Sequence, residues 1–279
     1  MDFGKIAFIG GGNMTRALVG GMLLADFKPS NILISDPILE VRKKLTKIFP
    51  GTLIEEDNLN VINQADCLLL AVKPQILPKV CRSLKDSVQI RKPLIISIAA
   101  GLRCDDINTW LGGGLSIIRV MPNQPALLQL GVSGMFANEI SSSQEQSIAE
   151  YIISTTGPVI SVSDENDINA ITAISGSGPA YFYKLIDLLI KNAEEMGLDS
   201  KSAVTLALET AQGAAAIAKQ SEESIDTLIS HVRSPGGTTA AALDYLDSKD
   251  FDGIFSAAVF AARQRAEELA NQTHKDAKG

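Results

Sequence analysis

The chain has 279 residues, 46% hydrophobic and 20% charged, which excludes extensive disorder and suggests about two domains. Its net charge of −7, without any long basic block, disfavours a nucleic-acid partner, because phosphate binding depends on Lys and Arg. Three cysteines with no C-x-x-C pair and two histidines, His231 and His274, leave little material for a disulfide scaffold, a metal site or a Ser-His-Asp triad.

The first element is an apolar run, Ile6–Ile9, followed by a glycine turn and a stretch of helical spacing over 13–25. A second run, Ile32–Ser35, precedes a helix at Leu39–Ile48, whose Arg42, Lys43 and Lys44 read as a solvated face. Further compact runs rich in Ile, Leu and Val occupy 67–72, 94–98 and 117–120. Such runs suit strands buried on both faces of a parallel sheet. Two more strands are expected at 132–137 and Val159–Val162, with a helix at Ser143–Ser154 between them. Alternation of this kind predicts an α/β Rossmann-type doubly wound domain over 1–163.

Beyond residue 163 the strand runs stop. Residues 179–196, 200–219, 222–232, 238–247 and 251–272 are rich in Ala and Leu at helical spacing. A helical domain over 164–279 is therefore expected. Several of its helices are apolar on more than one side, which predicts burial against a second copy, as a homodimer or higher homo-oligomer. Cys67, Cys81 and Cys104 fit a reducing compartment, and Cys67 lies within an apolar run as a small buried side chain. With no signal-peptide pattern and no apolar run near the ~20 residues of a membrane helix, a cytoplasmic location is expected.

Three loops carry the chemistry. Gly10, Gly11 and Gly12 lie at the first strand-to-helix turn, followed by Asn13, Met14 and Thr15. Glycines there permit a tight turn and close approach of a pyrophosphate to the helix N-terminus. Thr15 stands where the usual motif has a third small residue, which loosens the expected helix packing. Asp36, ending the second strand, reads either as the acid that accepts ribose hydroxyls of NAD or as a turn residue before Ile38. The loop Ser234-Pro235-Gly236-Gly237-Thr238-Thr239 makes either an anion nest or a plain helix cap. Ser175-Gly176-Ser177-Gly178-Pro179 opens the first long helix of the second half, and the glycines permit close backbone approach.

Six segments in order resemble the pyrroline-5-carboxylate reductase family: 9–14 (IGGGNM), 71–74 (AVKP), 97–101 (SIAAG), 119–126 (RVMPNQPA), 175–181 (SGSGPAY) and 234–239 (SPGGTT). The resemblance implies NADPH- or NADH-dependent reduction of 1-pyrroline-5-carboxylate to proline by a Rossmann domain with a helical dimerisation domain. It implies dinucleotide contacts from Gly10, Gly11, Gly12, Asn13, Met14, Ser35, Asn58, Ala71, Val72, Lys73, Pro74, Ser97, Ala99 and Ala100. Asn123 and Ser175 would lie near the nicotinamide end. Glu165, Gly236, Gly237, Thr238 and Thr239 would line the substrate pocket, with Ser234 beside them and Thr239 nearest the ring nitrogen. Ser230 and Arg233 depart from the family pattern, which often has Asp and a small hydroxyl residue there. Different hydrogen bonds below the loop are therefore expected. A hydroxy-acid dehydrogenase would instead need a placed Lys or His base, and Lys184 and Lys191 read as exposed-face residues. A non-catalytic dinucleotide sensor would not need the second nest.

Overall fold

The structure, a computed structural model, describes the backbone of residues 3–278 and the side chains of residues 3–272. In chain order its elements begin with β1 (Ile6–Ile9), α1 (Asn13–Leu24), β2 (Ile32–Ser35), α2 (Leu39–Ile48), β3 (Leu53–Glu55) and α3 (Asn58–Ile62). There follow β4 (Cys67–Leu70), α4 (Leu77–Arg91), β5 (Leu94–Ser97), α5 (Cys104–Trp110), β6 (Ile117–Met121), β7 (Ser133–Ala137), α6 (Ser143–Ser154), β8 (Val159–Val162) and α7 (Asp167–Ile171). The remainder is helical: α8 (Gly178–Glu195), α9 (Ser200–Gln220), α10 (Ile225–Val232), α11 (Thr238–Ser248) and α12 (Phe251–Lys278).

One sheet runs in the order β3-β2-β1-β4-β5-β6-β7-β8. All neighbours are parallel except β6 and β7, which are antiparallel. Alternation along each buried strand explains why these runs became strands. Ile6 and Phe8 enter one core with Leu18, Met22 and Ile152, whereas Ala7 and Ile9 enter the other with Val61, Leu84 and Trp110. Both faces are thus covered by helices, and a strand with polar residues on one face would not fit. The strand at Leu53–Glu55 is the one missed in the sequence. It is a three-residue edge strand, and Leu53 is 38% exposed, so it leaves no apolar run to read. The helix α6 starts on a reciprocal cap, with Ser142 Oγ accepting the Glu145 N–H and the Glu145 carboxylate accepting the Ser142 N–H.

Contacts divide the chain into two compact units. One holds residues up to Ser177 together with those from Ala262 onward; the other runs from Gly178 to Ala261. The boundary anticipated at 163/164 marks the end of the last strand, whereas residues 164–177 pack in the first unit. The reasons are specific. Arg119 on β6 donates to Glu165 at 3.1 Å, and Ile171 occupies the space that a side chain on Gly134 would take, 2.5 Å from its Cβ position. At the C-terminal end, Ala266 and Ala270 are buried, and Leu269 lies against Gly101. The side chain of His274 lies outside the described residues. In the second unit only Gly178, Ala203 and Ala207 are buried among the described residues.

All three cysteines are free and buried. Burial pushes the Cys67 and Cys104 thiols far up, and it pushes Cys81 up to about 12. Ellman's reagent at pH 8 will therefore find no thiol in the native protein and three after unfolding in guanidinium. A fast-reacting native thiol would refute this burial. The folded pKa values lie above the ordinary 9.0, so this contribution to stability is intact below pH 9.0 and is lost as pH rises towards 12, which chemical melts across that range will register.

The Arg119 and Glu165 side chains are 3% and 13% exposed, so removing one partner strands a charge. Arg119→Met should cost about 3–5 kcal/mol, lowering the melting temperature by on the order of 10 °C. Pairing it with Glu165→Leu should recover most of that loss. Equal melting temperatures for wild type and Arg119→Met would show that the pair contributes nothing.

Candidate functional site

Strand order reverses between β1 and β4, so the loops leaving their carboxyl ends diverge and open a crevice there, the usual ligand position in such sheets. The glycine loop lies at that crevice. Gly10 has φ +103°, and a Cβ on it would sit 2.8 Å from the Ala71 carbonyl oxygen, so only glycine fits between the two loops. Its N–H donates to the Ser35 carbonyl at 2.8 Å, tying the loop to β2. Gly12 is the opposite case: a Cβ there would meet nothing within 4 Å. The space above it is open, and α1 begins without a side-chain cap, leaving its first N–H groups turned to that space. This is a fitting cradle for a pyrophosphate. Thr15, in the third motif position, is buried and donates its hydroxyl to the Gly10 carbonyl at 2.6 Å. The anticipated loosening of helix packing is offset by that bond.

Asp36 is directed back towards the loop. Its Oδ2 accepts the Gly11 N–H at 2.8 Å and its Oδ1 accepts the Ile38 N–H at 2.9 Å, so it serves the turn and the glycine loop together. Ser35 is fully buried, and its hydroxyl donates to Asn58 Oδ1 at 2.7 Å, leaving Asn58 as the more accessible of the two. Arg42 differs from the solvated face expected of it. Its Nη1 donates to the Asp36 carbonyl at 2.8 Å and its Nη2 pairs with Glu56 at 2.6 Å, while Lys43 and Lys44 are exposed.

The other expected dinucleotide contacts fall on the same edge. Ala71, Val72, Lys73 and Pro74 follow β4, with Lys73 exposed and the Ala71 N–H donated to the Ile9 carbonyl at 2.9 Å. Ser97 ends β5 fully buried, Ala99 is buried and Ala100 is exposed. Asn13 is exposed on the first turn of α1, and Met14 is half-buried against the core.

Asn123 follows β6 and is only 8% exposed. Its Nδ2 donates to the Ser175 carbonyl at 3.2 Å, and its Oδ1 accepts the Val132 N–H at 3.0 Å. Ser175 lies in a π-helical turn, Thr172–Gly176, closed by the Ser177 N–H on the Thr172 carbonyl at 2.8 Å. Turns of this kind are rare and gather at functional positions. Sequence spacing gave no sign of it.

Glu165 is committed on one oxygen. Its Oε1 accepts Arg119 and also the Cys104 N–H at 2.9 Å, standing in for a cap on α5. Arg119 was missed as its partner, although it is the one charge inside the apolar run of β6, and a buried charge requires a counterpart.

In the helical unit, Gly236 has φ +69° and the Gly237 N–H closes a turn on the Ser234 carbonyl at 2.9 Å. Gly237 then caps α11 without a side chain, so the N–H groups of Thr238 and Thr239 begin the helix unpaired. The hydroxyls of Ser234, Thr238 and Thr239 have no hydrogen-bond partner among the described residues. Arg233, one of the departures noted in the sequence, pairs with Asp244 and joins the end of α10 to α11. Ser230 bonds only within its helix, to the Thr227 carbonyl at 2.7 Å. Lys184 and Lys191 are 67% and 59% exposed and both face Asp187, which leaves neither as a buried base.

Comparison with known proteins agrees with this arrangement. A family model described as pyrroline-5-carboxylate reductase dimerisation matches residues 165–269, and one described as NADP oxidoreductase, coenzyme F420-dependent, matches residues 5–101. A pyrroline-5-carboxylate reductase of Pseudomonas aeruginosa is 40% identical over 272 residues, covering 98% of this chain and 99% of that protein. A solved pyrroline-5-carboxylate reductase from Coxiella burnetii has a TM-score of 0.90 at 38% identity, covering 96% of this chain and 99% of that one. A solved Plasmodium falciparum pyrroline carboxylate reductase with NADP bound has a TM-score of 0.85 at 29% identity, covering 97% and 99%. The chain belongs to the pyrroline-5-carboxylate reductase family.

Proposed function

We infer that this chain reduces 1-pyrroline-5-carboxylate to L-proline, the last step of proline biosynthesis, using NADPH or NADH. The observation that carries this reading is the coexistence of two loops in one chain. One is a glycine cradle at the sheet's switch point; the other is the SPGGTT turn with its unpaired N–H and hydroxyl groups. A bound nicotinamide coenzyme supplies the hydride that the C=N carbon accepts.

The chain's own residues supply position and charge. Gly10, Gly11, Gly12, Asn13 and Met14 hold the pyrophosphate with backbone N–H groups and the positive end of α1. Ser35, Asp36 and Asn58 border the adenine ribose, and Ala71–Pro74 with Ser97, Ala99 and Ala100 line the far side of the crevice. Asn123 fixes the π turn that presents Ser175 towards the nicotinamide end. At the second loop, N–H groups from Gly236 to Thr239 hold the substrate carboxylate. The Thr239 hydroxyl hydrogen-bonds the ring nitrogen, with Ser234 beside it. A threonine hydroxyl is a poor acid, so its contribution is orientation of the imine and stabilisation of its proton. Glu165 keeps Oε2 available for a ligand, because Oε1 is held by Arg119 and the Cys104 N–H.

The chain works as a homodimer or a larger homo-oligomer. Phe182, Leu206, Ile217 and Phe260 are 65%, 54%, 62% and 65% exposed on a unit with almost no interior of its own. No described helix is long and apolar enough to cross a membrane. Three unpaired buried cysteines support a cytoplasmic location, and the net charge of −7 supports the absence of a nucleic-acid partner.

Coenzyme oxidation followed at 340 nm with 1-pyrroline-5-carboxylate as acceptor tests the reading; no turnover with either coenzyme would overturn it. Thr239→Ala should lower kcat/KM by about 10–100-fold, the loss of about 1–3 kcal/mol expected for one hydrogen bond, with coenzyme affinity unchanged. Unaltered kinetics in that variant would remove Thr239 from the mechanism. Sedimentation should give at least twice the 29.7 kDa chain mass, and the melting temperature should rise with protein concentration. A monomer with a concentration-independent melt would contradict the assembly.

A further inference from the structure

We propose that the Asp36 carboxylate selects NADH over NADPH in this chain. The proposal rests on the coenzyme cradle described above and goes further by naming what decides between the two coenzymes. They differ only at the 2′ position of the adenine ribose: NADH offers a hydroxyl, which can donate, and NADPH a phosphate, which can only accept and is negatively charged. In this fold that ribose lies at the carboxyl end of the second strand, where Asp36 stands.

The geometry fixes what Asp36 can do there. Its carboxylate is held in place by two backbone N–H groups, from Gly11 at 2.8 Å and Ile38 at 2.9 Å. A carboxylate has about four acceptor positions, so about two remain, enough for the vicinal hydroxyls of a ribose. Gly11 keeps the approach close, since a Cβ at that position would stand 3.3 Å from Asp36 Oδ2 and 2.6 Å from Leu45 Cδ1. The two N–H bonds hold the carboxylate in place, and with Asp36 only 9% exposed its charge is poorly screened.

The cations at this turn do not offset that charge for a phosphate. A site for a 2′-phosphate presents guanidinium or ammonium donors at the end of this strand. Arg42 is the guanidinium bonded at this turn, and both its terminal nitrogens are engaged, one by the Asp36 carbonyl and one by Glu56. Lys43 is paired along its own helix with Glu40 at 2.9 Å. A 2′-phosphate would meet a fixed carboxylate beside a guanidinium already committed to two acceptors.

Direct titration of the full-length protein with NADH and NADPH, by calorimetry or by the fluorescence of the reduced nicotinamide, tests this without turnover. NADH should bind at least about tenfold more tightly, the scale of one unfavourable charge contact near a surface. Asp36→Asn keeps an acceptor for the Gly11 N–H but removes the charge, and should bring the two dissociation constants within about threefold. Glu56→Ala leaves the glycine loop untouched and removes the acceptor from Arg42 Nη2, so it should tighten NADPH alone. Equal or tighter NADPH binding by the wild type would overturn the selectivity while leaving the cradle in place. An unchanged preference in Asp36→Asn would remove Asp36 as its cause. Binding of neither coenzyme would overturn the cradle itself, and the proposal with it.

Discussion

The coenzyme edge of this protein depends on one steric constraint, the passage of the chain at Gly10 beneath the loop that follows β4. Any side chain there would be driven to 2.8 Å from the Ala71 carbonyl, and φ of +103° would strain every other residue type. Because the chain can pass, the Gly10 N–H reaches the Ser35 carbonyl and Thr15 reaches back to Gly10. The loop is then fixed to β2 on one side and to its own helix on the other. The open space over Gly12 is the direct result. Backbone is close-packed below the loop and absent above it, so N–H groups are available to a ligand without rearrangement.

Two carboxylates of the first unit, Asp36 and Glu165, enter its interior where more than one donor meets each. Asp36 is met by two backbone N–H groups, and Glu165 by Arg119 and the first N–H of α5. Neither arrangement is a strong source of net stability, since desolvation cancels much of the attraction. What each provides is a fixed direction. Asp36 is held facing the glycine loop, and the Arg119–Glu165 pair holds the segment carrying α7 and the π turn against β6. Asn123 joins that same segment to the start of β7, so the position of Ser175 is determined from two sides.

Much of this was legible in the sequence, for physical reasons. Strands buried on both faces leave uninterrupted apolar runs, so β1, β2 and β5 could be placed closely, and the switch from strand to helix near residue 163 was clear. Edge strand β3 was invisible because it is only three residues long and none of them is buried. The division of the chain at Ser177 and Ala262 was equally hidden, since it depends on tertiary contacts such as Ile171 over Gly134. At the site, glycine and hydroxyl loops announced themselves by composition. The direction of Asp36 did not, because the same residue type suits a turn and a ribose, and here it serves the turn while keeping acceptors spare. Arg42 looked like its lysine neighbours, although a guanidinium with a carbonyl and a carboxylate in reach behaves differently from an exposed ammonium.

The helical unit poses a different physical problem. Five helices or parts of helices run from Gly178 to Ala261, yet only Gly178, Ala203 and Ala207 are buried, and side chains as large as Phe182 and Phe260 stand 65% exposed. Hydrophobic burial is the main term that offsets chain entropy, and a unit with so small an interior does not recover enough of it alone. Cover from a second copy supplies the missing area. That requirement reaches the chemistry, because the SPGGTT turn belongs to this unit and is secured within it by Arg233 on Asp244 and by the start of α11. The nest that would hold a substrate carboxylate is therefore only as rigid as the helices beneath it, and those helices are only as stable as their association. Assembly in this protein is thus a condition for an ordered SPGGTT turn, and oligomeric state and turnover are expected to be lost together.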